Sequence, residues 1–127
     1  MKDEVVTHNG RRYSLIFRRP TFSPGVEWVS EDPDNIQVGF FNYDTGKHLR
    51  AHVHNTYDRT ATRSCEAMYV ITGSISITVF DEGGDNIGKY ELHAGDIYIS
   101  LLGGHAFDVL EDGTKIFEVK NGPFFGV

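Results

Sequence analysis

The sequence predicts a small all-β domain, a sandwich or a closed barrel, and three observations carry the prediction. Clusters of Gly, Pro, Asn and Asp interrupt the chain at short intervals. The segments between them alternate apolar with polar residues at a period of two, as half-buried strands do. No long segment carries the 3.6-residue period of an amphipathic helix. Many short strands joined by Gly-rich turns call for an architecture that covers or closes its sheet edges. At 127 residues the chain has the size of one domain that buries a core without cross-links, and residues 1–127 read as a single unit.

Taken in order, Tyr13, Leu15 and Phe17 share one face of an early strand, and a short Val26 to Val29 run follows the loop from Pro20 to Gly25. A strand is expected over Ile36 to Tyr43, ended by the turn Asp44-Thr45-Gly46. His48 to His54 alternates strictly, with His48, Arg50, His52 and His54 on one face and Leu49, Ala51 and Val53 on the other. A polar loop from Asn55 to Ser64 comes next, in which Arg59 to Cys65 forms a turn at most. Glu66 to Ile71 reads as a strand, and Thr72-Gly73-Ser74 predicts a hairpin returning through Ile75, Ile77 and Val79. Asp81 to Asn86 is the strongest turn signal in the chain. After it come Ile87 to Leu92, Ile97 to Leu102, His105 to Leu110 and Lys115 to Lys120 as further strands. Periodicity alone does not choose between an immunoglobulin-like sandwich, a lipocalin-like barrel and a jelly roll.

Composition narrows the function classes. Hydrophobic residues at 39% and charged residues at 24% are ordinary for a globular protein. The longest apolar stretches, such as Ile97 to Leu102, are of strand length and far short of the ~20 residues that span a bilayer. The start Met1-Lys2-Asp3-Glu4 lacks the pattern of a signal peptide, so a cytoplasmic location is the expectation. One cysteine, Cys65, cannot form an internal disulfide and suits a reducing compartment. A net charge of −6 with no Lys/Arg stripe argues against a nucleic-acid partner.

The histidines carry the chemistry. Two residues apart on a strand means about 6.6 Å of rise on one face, so His52 and His54 present adjacent imidazoles that can converge on one ion. A lone His-x-His pair is weak, and its surroundings supply the rest. Gly46 stands six residues before His52, and Glu66 stands seven before Gly73. Downstream, Gly95-Asp96 precedes Gly103-Gly104-His105. In these two ordered motifs the chain resembles the cupin family. Two departures accompany the resemblance. Eleven residues separate His54 from Glu66, a longer spacer than the family's, and Leu101-Leu102 stands where a proline usually precedes Gly103. An inserted loop from Asn55 to Cys65 leaves Glu66 at the start of its strand, and a glycine pair can adopt dihedrals that absorb the second change.

The resemblance implies a double-stranded β-helix, the jelly-roll cupin barrel, with its metal-binding core over about residues 36–120. It also implies one divalent ion on His52, His54, Glu66 and His105. Such a donor set suits Mn, Fe, Co, Ni or Zn, and four protein ligands leave two octahedral positions open. No catalytic residue is singled out, and no organic cofactor is expected. Glu66 has a second possible role behind the ligands, as their carboxylate partner or as a base. In phase with the ligands, Met68, Val70, Phe107 and Val109 are expected around the site, although an ordinary barrel core would contain the same residues. Arg50 is the nearby cation, a substrate anchor or else a surface ion-pair member. His48 is expected to be exposed or to line the pocket, and His8 and His93 are placed in a solvated tail and turn. Cys65 is expected to be a small core residue opposite Glu66.

Similarity to small single-domain cupins implies a metalloenzyme acting on a small oxygen-bearing metabolite, such as a sugar or natural-product precursor. Its reaction would be that of a dioxygenase, or of an isomerase or lyase. The alternative is a module that binds or senses a small molecule or metal without turnover. A homodimer is expected, paired through the strand Tyr13 to Phe17 or the apolar tail Phe124-Phe125.

Overall fold

A computed structural model of the chain describes residues 2–126. The molecule is all-β, with ten strands in chain order: β1 (Lys2–His8), β2 (Arg11–Arg18), β3 (Gly25–Trp28), β4 (Gly39–Asn42), β5 (Glu66–Thr72), β6 (Ser74–Phe80), β7 (Asn86–His93), β8 (Ile97–Ser100), β9 (Gly104–Val109) and β10 (Lys115–Lys120). They form a five-stranded sheet of order β1-β2-β8-β5-β10, a three-stranded sheet β7-β6-β9, and the ribbon β3-β4. Every pairing is antiparallel.

The core lies between the two larger sheets. Ile16 of β2, Met68 and Val70 of β5 and Tyr98 of β8 meet Ile75, Ile77 and Val79 of β6 and Leu92 of β7. Each aliphatic side chain taken from water in this way contributes about 1.5–3 kcal/mol. A second cluster covers part of the opposite face of the large sheet, where Leu15, Phe17 and Ile99 pack against Phe40 of β4. The edge of the Phe40 ring meets Phe17, and its face stacks on Phe22 at 4.6 Å between centroids. The five-stranded sheet is therefore apolar on both faces in its middle, which is why β2 reads as a nearly unbroken hydrophobic run.

Several expectations need correction. Gly73 does not close a hairpin: β5 pairs with β8 and β10, whereas β6 pairs with β7 and β9, so the chain crosses from one sheet to the other at this glycine. The crossing requires φ near +83°, and a Cβ there would overlap Thr114. The expected strand over Ile36 to Tyr43 shortens to β4, and the expected strand His48 to His54 is absent; residues 43–65 form no strand. His8 is the last residue of β1 and not part of a tail, and His93 is the last residue of β7. Tyr13 to Phe17 offers no dimer edge, because β2 is hydrogen-bonded to β1 on one side and β8 on the other. Among the described residues, no helix is long and apolar enough to cross a membrane.

Candidate functional site

Glu66 opens β5, with Ser100 of β8 and Lys120 of β10 as its cross-strand partners. Alternation along β5 puts Glu66 on the same inward face as Met68 and Val70. His105 is the second residue of β9, opposite Val79 of β6. One residue thus comes from each sheet, and they meet at one end of the space between the sheets. Nε2 of His105 lies 3.1 Å from Oε2 of Glu66, with the two side chains 18% and 15% exposed. The Tyr98 ring stands at 88° to the imidazole, 5.8 Å between centroids, and braces it edge to face. Tyr98 is itself held by a 2.7 Å hydrogen bond with Ser14 Oγ.

Two polar atoms here have no hydrogen-bond partner although both are sheltered from solvent: Glu66 Oε2 and His105 Nδ1. The short approach of Nε2 to Oε2 does not have hydrogen-bond alignment. Leaving a buried donor or acceptor unpaired costs about 1–3 kcal/mol, so each of the two calls for an explanation. Burial pushes the Glu66 carboxyl above its ordinary value, the nearby Glu118 carboxylate pushes the same way, and His105 opposes them. Desolvation also pushes the Tyr98 phenol up to about 12.

Glu118 is a site residue that the sequence reading missed. It lies across from Met68 in the β10–β5 pairing and so shares the inward face with Glu66. Its signal was present in the run Lys115 to Lys120, where Ile116, Glu118 and Lys120 alternate in phase, a carboxylate on an otherwise inward-facing row.

His52 and His54 also stand together, with ring centroids 4.9 Å apart at 71°. They do so in an exposed, irregular segment, where His52 Nδ1 contacts the Arg50 carbonyl at 3.0 Å. The proposed donor set is therefore divided into two pairs. Among the described residues, no three His, Cys, Asp or Glu side chains converge in a way that could hold a metal. The division has a physical origin. A strand needs a neighbour for its backbone N–H and C=O groups, and the segment His48 to His54 has none, while β9 ends its own sheet with a free edge. As a result Val53 is 91% exposed.

His54 lines an open cleft of about 1030 Å³ together with Trp28, Asp34, Asp58 and Asn121. Asn121 in turn accepts a 2.8 Å hydrogen bond from the Cys65 N–H and donates one to the Arg63 carbonyl, just before Glu66.

The expected lining is present only in part. Met68 and Val70 are buried, but Phe107 and Val109 are exposed because nothing covers the free edge of β9. His48 and Arg50 are exposed with the rest of their segment. Cys65 is buried, as expected, with its thiol 3.5 Å from the Leu101 carbonyl. Comparison with protein-family models, with curated proteins and with solved structures gives no match.

Proposed function

We propose that this chain is a metal-binding cupin barrel in which His52, His54, Glu66 and His105 hold one divalent transition-metal ion. One observation carries the proposal: Glu66 Oε2 and His105 Nδ1 are sheltered and make no hydrogen bond, on two side chains that meet through His105 Nε2, the condition of donor atoms kept for a ligand. Three imidazoles and a carboxylate, with no thiolate, match borderline divalent metals. Completion of the site requires the His48 to His54 segment to pair with the free edge of β9, giving the double-stranded β-helix its missing strand. The eleven residues from Asn55 to Cys65 span roughly 36–40 Å when extended, at about 3.3–3.6 Å per residue, so the connection does not prevent this.

When bound, such an ion would supply Lewis-acid or oxygen chemistry. The chain's own groups set the conditions around it. Tyr98 fixes the plane of the His105 ring, Ser14 fixes Tyr98, and the buried side chains Met68 and Val70 keep water from the floor. Glu118 lies across from Met68 on the same face as Glu66 and adds a second carboxylate beside it. This arrangement fits a small metalloenzyme, a dioxygenase or an isomerase or lyase, acting on a small oxygen-bearing metabolite such as a sugar or natural-product precursor.

Hydrogen exchange read by mass spectrometry tests the proposal. Adding Mn²⁺ or Zn²⁺ to the metal-free protein is expected to protect the amides of residues 48–54 and of β9. Binding that leaves both segments exchanging as before would contradict it.

A further inference from the structure

Glu66 is the first residue of β5 and follows directly on the irregular segment 43–65. The first residue of a strand frays unless contacts beyond the ladder hold the chain that leads into it. Here Asn121 holds that chain by three hydrogen bonds. Its side-chain Oδ1 accepts the Cys65 N–H at 2.8 Å, its Nδ2 donates to the Arg63 carbonyl at 3.2 Å, and its own N–H donates to the Cys65 carbonyl at 3.4 Å. Asn121 follows Lys120, the cross-strand partner of Glu66 in β10. On the other side, the Cys65 thiol lies 3.5 Å from the carbonyl of Leu101, which follows Ser100, the partner of Glu66 in β8. The pairing of β5 with both neighbours thus runs one residue beyond Glu66, and an amide side chain supplies two of the bonds where the backbone turns away.

We propose that Asn121 is a positioning residue for the candidate metal site, holding Glu66 where it meets His105 whatever place the segment bearing His52 and His54 takes; the inference rests on the metal-binding reading. Because Glu66 Oε2 has no hydrogen-bond partner, the placement of that oxygen depends on the backbone that carries it. The clamp divides the chain at Arg63: residues 43–62 before it form no strand, and the ladder of β5 begins just after it. Asn121 stands on that boundary, since it also lines the cleft that His54 lines. One half of the donor set is thereby fixed in advance, and only the other half is ordered on binding. That reduces the conformational entropy a ligand must offset.

Titration of the metal-free full chain with Co²⁺, followed by visible absorption, tests the assignment. The parent is expected to bind one equivalent. Asn121→Ala is expected to bind about 10–100-fold more weakly, the range for residues that orient a metal ligand without touching the ion. Asn121→Asp keeps an acceptor for the Cys65 N–H but loses the donor to the Arg63 carbonyl, and its affinity is expected to fall between the two. Asn42→Ala removes a 2.8 Å side-chain bond to the Phe22 carbonyl on the ribbon and is expected to lower stability while binding Co²⁺ as the parent does. Added to Glu66→Gln, Asn121→Ala is expected to weaken binding little further, because it acts through the same carboxylate. Parent-like affinity in either folded Asn121 variant overturns the inference and leaves the metal reading standing, as does a loss that simply adds to that of Glu66→Gln. A parent that binds no Co²⁺ overturns the metal reading and this inference with it.

Discussion

Glu66 and His105 are 39 positions apart in the chain and 3.1 Å apart in the fold. Their meeting depends on a small set of neighbours. Ser14 and Tyr98 form a buried pair beneath the imidazole. Ser14→Ala is expected to lower stability by about 1–3 kcal/mol, read by urea unfolding, because it strands the Tyr98 hydroxyl. Tyr98 also predicts an alkaline limit. Its folded-state value lies above the unfolded one, so its contribution is fully present below pH 10 and lost as pH rises toward about 12. Stability of the parent should fall through that window, and Tyr98→Phe should flatten the fall. At this scale the spacing to glycines was informative about Glu66 and His105, which the fold brings together. For Glu118 the sequence offered only the alternation of its strand, because the neighbour of Glu118 depends on which strand lies beside β10.

At the scale of elements, alternation located strands well and their partners poorly. β10 was read to the residue, and β6, β7 and β9 nearly so, because turn residues bracket each one. A period of two says that a segment is half-buried without saying against what, so the crossing at Gly73 read as a hairpin and His48 to His54 read as a strand. β1 was missed because Lys2-Asp3-Glu4 opens it with charge. The turn before His105 gives a paired prediction. Gly103 has φ near +72°, and a Cβ there would overlap the Phe80 carbonyl and crowd the Tyr13 ring, whereas Gly113 at φ near +73° has nothing within 4 Å. Gly113→Ala should cost about 1–2 kcal/mol from backbone strain alone. Gly103→Ala should cost clearly more, read as a larger drop in thermal midpoint, and should displace β9 and with it His105.

For the whole molecule, the all-β class was legible from turn spacing and composition, but the closure of the sheets was not. Two sheets enclose one core, yet β9 and β10 both end their sheets with free edges, and the segment bearing His52 and His54 lies outside them. Where that segment settles is decided by contacts between distant parts of the chain, which a local pattern does not record. The central claim is that the two divided pairs serve one ion, and metal content tests it most directly. Elemental analysis of protein purified without chelator or affinity tag is expected to find near one equivalent of a transition metal in the parent. It should find none in His52→Ala/His54→Ala, and none in Glu66→Gln/His105→Ala, each checked for folding. A parent that takes up no metal even on reconstitution, or that keeps it when either pair is removed, would contradict the account.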